Sequence, residues 1–310
     1  MSKDYRNYLP GQAHHVYCKA VNGYVIFYSS RDCIYFLTLY YHLARRYGIV
    51  TRAVSIMPNH VHSNQQALSE ESFMNFNRDL TRDFAREYNK EHRRKGRLFL
   101  KPFGFAPKTV GKKIRDNISY IVNNPVAGKL SGTIDGYRWN LMAYRNSNHP
   151  FSEKIVLRKA SMGLRRSLAL LQYFYDNGIP LDYNRLRFLF KGLGSKETAQ
   201  LTDRIISMHN FLDYDAVAEY YQGDIENAVV SISLNSGSEH DIPEDYEDYS
   251  KYKMMLQKTK ASGIDLKQCN FETMPADHLA RLAEIFSSAG IPIKQIRKFL
   301  HLKMEDRGGK

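Results

Sequence analysis

Histidines 60 and 62, in Met57-Pro58-Asn59-His60-Val61-His62, have the spacing and side chains for metal chemistry. Side chains alternate between faces along a strand, so residues separated by one point the same way. The two imidazoles then stand side by side, while Val61 points the other way into a core. Neutral imidazole is a good ligand for a divalent metal. Taken alone, the pattern also fits a half-exposed strand with two incidental histidines. A second pair, Tyr120 and Asn124, lies four residues apart in a helical stretch and so shares one face. Asn124 offers a carboxamide oxygen, and Tyr120 would hold its phenol close to a cation bound there. Two imidazoles and one amide oxygen leave coordination positions open for substrate oxygens, as in a catalytic rather than a structural shell. Asp116, one turn before Tyr120, reads as a helix-surface carboxylate, with orientation of the phenol or contact with the metal as the alternative.

Positioning these groups requires a sheet and a helix. Residues 13–27 read as extended structure broken at Asn22-Gly23, a hairpin-type turn signal. A helix should start at Ser29 and end at Gly48, with Ile34, Leu37, Tyr41 and Ala44 at helical spacing. The β-branched run 49–57 predicts a strand, and His60 begins the next. The polar Ser63-Asn64-Gln65-Gln66 predicts a weakened end to that strand. Ser69 should cap a long helix to about Lys95, with Phe73, Phe76, Leu80, Phe84 and Tyr88 as its apolar stripe. Leu98–Ala106 is an aromatic, Lys-bearing extended or loop segment, a composition that suits stacked single-stranded bases. A third helix is expected over 109–123, ended by Pro125. The order strand, helix, strand, strand, helix, short strand, helix predicts an antiparallel α+β sandwich.

The 310 residues carry a net charge of +13, unevenly placed. Residues 1–150 hold 23 Lys and Arg against 10 Asp and Glu, whereas residues 151–310 hold 22 of each. A basic half that also carries the histidine pair implies a polyanionic partner, foremost nucleic acid. Arg93, Arg94, Lys95 and Arg97 lack interleaved acids and are the better phosphate-contact residues, and Lys101, Lys108, Lys112 and Lys113 extend the set. No apolar run reaches the roughly 18 residues of a membrane span, so no membrane partner is expected. Without an apolar signal core at the N-terminus, a cytoplasmic location is expected. Cys18, Cys33 and Cys269 read as reduced thiols. Beyond about residue 150 the character turns helical: Ile155–Tyr175, segments within 183–209, and a helix-turn-helix over 275–302. The last places Lys294, Arg297 and Lys298 on its second helix; a small bundle is the plain reading and groove recognition the sharper one. The acidic stretch 236–250 (Glu239, Asp241, Glu244, Asp245, Glu247, Asp248) reads as a linker or surface loop.

Met57–His62, Arg97-Leu98-Phe99 with Phe103-Gly104-Phe105-Ala106, and Tyr120-Ile121-Val122-Asn123-Asn124-Pro125-Val126 follow the order and spacing of a known family. In these residues the chain resembles the HUH single-tyrosine transposases (histidine, hydrophobic, histidine), and within them the REP-associated tyrosine transposases. The resemblance covers residues 10–150. It implies a domain over 1–150 with a ferredoxin-like antiparallel sheet and helices on one face, the HUH endonuclease fold, followed by a mostly helical region over 151–310. It further implies cleavage and rejoining of single-stranded DNA, often at hairpin-forming repeats. Tyr120 would be the nucleophile, forming a 5′-phosphotyrosine. His60, His62 and Asn124 would hold Mg²⁺ or Mn²⁺. Relatives of both monomeric and dimeric kinds leave a homodimer open. The alternatives are a domesticated DNA-binding regulator that keeps the fold without cutting, and an RNA-binding protein.

Overall fold

The computed structural model describes residues 7–237, 247–264, 271 and 274–303. Four strands, β1 (Ala13–Lys19), β2 (Val50–Met57), β3 (His60–Gln66) and β4 (Gly104–Lys108), form one sheet in the order β2-β3-β1-β4, with every pairing antiparallel. Helix α1 (Ser30–Tyr47) joins β1 to β2 and α2 (Glu70–Glu91) joins β3 to β4. This βαββαβ order is that of the ferredoxin-like, split βαβ unit. Local signals set the ends of α1. The Ser29 hydroxyl accepts from the Asp32 N–H while the Asp32 carboxylate accepts from the Ser29 N–H at 2.8 Å, and Gly48 stops the helix in a left-handed conformation at φ 63°. Ser69 caps α2 as expected, accepting from the Ser72 N–H at 3.2 Å.

Helices cover both faces of the sheet, not one. Helices α1 and α2 pack on the face carrying Val61, Ser63 and Gln65, where Tyr40 of α1 bonds Thr51 at 2.9 Å and Asn77 of α2 bonds Gln65 at 2.9 Å. Helix α3 (Gly111–Ala127) lies on the opposite face, the one with the histidines. It continues past Pro125, contrary to expectation. A proline in the last turn forfeits one helical hydrogen bond, and the Gly128 N–H closes that turn on the Asn124 carbonyl at 2.9 Å. Helix α2 stops earlier than expected, with Arg93 at φ 49° after it.

Two further expectations change. Asn22 and Gly23 do turn, both with positive φ, yet the chain that follows does not pair back on β1. Instead the Ile26 and Phe27 N–H groups bond the Pro58 carbonyl at 2.9 and 3.1 Å, and Val25 bonds the Lys298 carbonyl at 3.1 Å. The polar run Ser63–Gln66 is a full interior strand, paired on both sides. Its side chains find buried partners. Asn64 donates to Asn117 at 2.8 Å, Gln65 to Ser63 at 2.8 Å, and Gln66 to the Gly11 carbonyl at 2.7 Å. Buried polar groups are tolerated when bonded, so the strand survives its polarity.

Among the described residues eight α-helices follow, the first seven being α4 (Met162–Asp176), α5 (Tyr183–Leu189), α6 (Ser195–Met208), α7 (Tyr214–Ala218), α8 (Ile225–Leu234), α9 (Ser250–Ala261) and α10 (Ala276–Ser288). The last described helix is α11 (Ile293–Leu300). Packing does not divide the chain at residue 150. One continuous apolar core holds Val54, Ile118 and Phe84 together with Leu164, Leu201, Val217 and Ile232. A second holds Val25 and Met57 with Tyr252, Leu282, Phe286 and Phe299. Helices α10 and α11 form the expected helix-turn-helix outline, but α11 buries Gln295, Ile296, Lys298, Phe299 and Leu300 and is spent on docking. Cys18 and Cys33 are buried free thiols, while Cys269 lies outside the described residues. No helix among the described residues is long and apolar enough to cross a membrane.

Burial lowers the pKa of His14 and of His209 to about 4 from 6.5. Between those values the folded chain binds fewer protons than the unfolded one, so stability is full above the upper value and lost as the pH falls toward the lower. Melting followed by circular dichroism should show Tm falling as the buffer is taken from about pH 7 to about pH 5, with a smaller fall for His209→Gln. A flat profile over that range would contradict the burial of these rings in their neutral form.

Candidate active site

Strand β3 presents His60 and His62 to α3, with ring centroids 4.7 Å apart and planes at 79°. Both are buried, at 8% and 2% exposure. Each ring is fixed at Nδ1. His60 Nδ1 lies 2.6 Å from Asn59 Oδ1, and since an amide oxygen only accepts, that nitrogen carries the proton and the ring's lone pair is on Nε2. His62 Nδ1 lies 2.8 Å from His15 Nε2 on the neighbouring strand. Burial, then the neighbouring His60, His15 and Lys19, hold the His62 pKa well below 6.5, so the ring is neutral near neutral pH. Neutral imidazole is the form that binds a metal.

Helix α3 supplies the phenol. The Asn64–Asn117 bond pins the helix to β3 one turn before Tyr120. The Tyr120 ring then stands edge-on to His62 at 5.6 Å and 80°, and to His15 at 5.7 Å and 60°. His60, His62, Tyr120 and Asn124 line one cavity of about 330 Å³. The four residues singled out by spacing therefore converge within a single chain. Asp116 is not among the cavity's lining residues.

Several groups at the site were not singled out from the sequence. His15, Tyr17 and Lys19 share the histidine face because β1 pairs with β3 in the register Tyr17 opposite His62 and Lys19 opposite His60. Their alternation in His15-Val16-Tyr17-Cys18-Lys19 was the available signal. Glu247 and Tyr249 line the cavity from the C-terminal region, and the Tyr249 ring lies 5.9 Å from His60. No local pattern announces them. They are not a surface loop: the Tyr249 N–H bonds the Gly128 carbonyl at 2.9 Å, and Glu247 pairs with Lys298 and accepts from the Tyr252 hydroxyl at 2.9 Å. A Cβ on Gly128 would fall 2.6 Å from the Tyr249 ring, so glycine is what lets this turn seat against α3. At the other end of the acidic stretch, Gly237 sits against the α3 backbone at Asp116 and Tyr120. Glu239, Asp241, Glu244 and Asp245 lie outside the described residues.

The basic residues divide by exposure. Arg93, Lys95, Arg97, Lys112, Lys113 and Lys294 are exposed, while Arg94, Lys101 and Arg297 are half-buried. Lys108 and Lys298 leave the set of surface phosphate contacts. Lys108 is buried in β4, and the Lys298 side chain is 4% exposed against a Glu247 side chain 6% exposed. Among the described residues no group of three or more His, Cys, Asp or Glu forms a metal cluster. A cation here would rest on two imidazoles and the Asn124 amide, all neutral donors.

No protein-family model and no curated protein sequence matches the chain. A solved structure described as a REP-associated tyrosine transposase bound to a REP hairpin matches with a TM-score of 0.39 and 15% identity, over 46% of this chain and 82% of that one.

The buried Glu247–Lys298 pair makes a prediction of its own. Removing one partner of such a pair costs about 3–5 kcal/mol because the other charge is left without compensation. Urea unfolding of Lys298→Met should show a loss of that size, largely recovered when Glu247→Leu is added. Losses that simply add would mean the two charges are not coupled.

Proposed function

We propose that the chain is a metal-dependent HUH-type transposase that cleaves and rejoins single-stranded or hairpin DNA. The convergence of His60, His62, Tyr120 and Asn124 on one cavity carries this reading. The motif resemblance and the positive excess of residues 1–150 support it. His60 and His62, with Asn124, would hold Mg²⁺ or Mn²⁺. Such a cation, when bound, withdraws charge from the scissile phosphate and favours ionisation of a nearby phenol, whose pKa is otherwise near 10.

Tyr120 attacks phosphorus through its phenolic oxygen. The bond to the 3′-oxygen breaks, the phenol's proton is made up on the departing 3′-hydroxyl, and a 5′-phosphotyrosine remains. That ester keeps the phosphodiester's energy, so another 3′-hydroxyl can reverse the step on a new strand. Asn59 and His15 hold the two imidazoles in the orientation described. Because one chain brings both histidines and the tyrosine together, this reading needs no partner subunit to supply the nucleophile. The neutral donor set leaves substrate oxygens to complete the shell.

Incubation with a labelled single-stranded hairpin and Mn²⁺ tests the reading. A covalent protein–DNA adduct on denaturing gels is expected, absent in Tyr120→Phe. His60→Ala should abolish the adduct while changing DNA affinity little, since phosphate contacts supply most of it. Binding without adduct by the parent protein would favour a non-cutting regulator. Parallel loss of adduct and affinity in His60→Ala would count against a catalytic metal.

A further inference from the structure

Tyr17 sits beside the cavity, and neither the core nor the proposed chemistry uses it. It faces the same way as His62, its partner across the β1–β3 pairing, with ring centroids 6.4 Å apart. It is half-buried and belongs to neither apolar core. The neighbouring strand makes room for it. The ring lies across Gly104, where a Cβ would fall 2.3 Å from its Cζ and 2.5 Å from its phenolic oxygen. Any side chain at 104 would push the ring away.

Two ammonium groups flank it. Lys101 Nζ lies 4.9 Å from the ring centroid and donates to the phenolic oxygen at 2.9 Å. Lys19 Nζ lies 6.0 Å from the centroid. Lys19 and Leu100 form the cavity wall on this side. The aromatic residues that composition suggested for stacking are occupied elsewhere. Phe99 is buried, while Phe103 and Phe105 stand 6.3 and 5.1 Å from Phe73 under α2.

We infer that Tyr17, with Lys19 and Lys101, is the binding subsite for a nucleotide flanking the reacting phosphate of a single DNA strand. The base stacks on the Tyr17 ring, and the two lysines meet the backbone phosphates on either side. Stacking on an aromatic face is tolerant of sequence, and adjacent cations track the sugar-phosphate chain. The β1–β3 register places this platform one strand from His62, within a nucleotide's reach of the cavity. This inference rests on single-stranded DNA being the substrate.

The test uses the full chain carrying Tyr120→Phe, so that bound DNA stays uncut, and a fluorescein-labelled hairpin with single-stranded flanks read by anisotropy. Tyr17→Ala should weaken binding about tenfold or more, the size of one lost base stack. Tyr17→Phe should bind within about twofold of its parent, because the ring face remains. Gly104→Ala should weaken binding as Tyr17→Ala does. Lys101→Gln should lower the salt slope by about one phosphate contact. Parental affinity in Tyr17→Ala, with a normal melting curve, would overturn the subsite. The two readings fail separately. Wild-type adduct with unchanged affinity in Tyr17→Ala removes only the subsite. Absence of wild-type adduct with weakened Tyr17→Ala binding removes only the cleavage chemistry.

Discussion

The pairing of β3 against β1 is the constraint on which the rest of the site depends. In the register formed, Tyr17 stands opposite His62 and Lys19 opposite His60, with His15 next along the same face. A slip of β3 by one residue would turn its side chains to the other side of the sheet, away from Tyr17, Lys19 and His15 on β1. His60 and His62 would then lie under α1 and α2, and Val61 would face the cavity. The apolar and polar sets on the two faces fix the choice. Val61, Cys18 and Ile56 belong against α1 and α2, and the turn at Pro58-Asn59 is held by the Ile26 and Phe27 amides. Helix α3 is anchored on this frame, with Ile118, Ile121 and Val122 in the apolar core. The Asn64–Asn117 bond gives it a fixed rotation and height over β3, and Tyr120 follows one turn later.

What could be read from the sequence was local. Ser29, Asp32 and Gly48 mark the ends of α1 by chemistry within a few residues, and the structure agrees with them. His60 and His62 share a face by strand geometry alone, and Tyr120 and Asn124 by helix geometry alone. What could not be read was settled by residues far away. Ser63–Gln66 looks unfit for an interior strand until Asn77, Asn117 and Gly11 are brought to it as hydrogen-bond partners. Tyr24–Phe27 looks like the return arm of a hairpin, but it is captured by Pro58 and by the backbone of α11. Lys298 looks like an exposed helix cation, and only the fold brings Glu247 to it.

The same long-range contacts alter how the two halves of the chain relate. The boundary drawn from charge, at residue 150, is real in composition: the positive excess lies before it. The packing follows another division. Helices α4 to α8 share the sheet's own core, whereas α9 to α11 build a second core around Val25 and Met57, next to the histidine strand. Tyr249 and Glu247 reach the cavity from that second body, so the wall of the site is assembled from both ends of the sequence.

The shared core has a practical consequence for anyone seeking a minimal version of this protein. Trimming at the compositional boundary would strip Leu164, Leu201, Val217 and Ile232 away from Val54 and Ile118, exposing a large apolar wound. Such a fragment would be expected to aggregate, whatever the fate of its four convergent side chains. The smallest excisable body that keeps the sheet's interior closed extends through α8, and the histidine strand would still lose the cover that Tyr249 gives it.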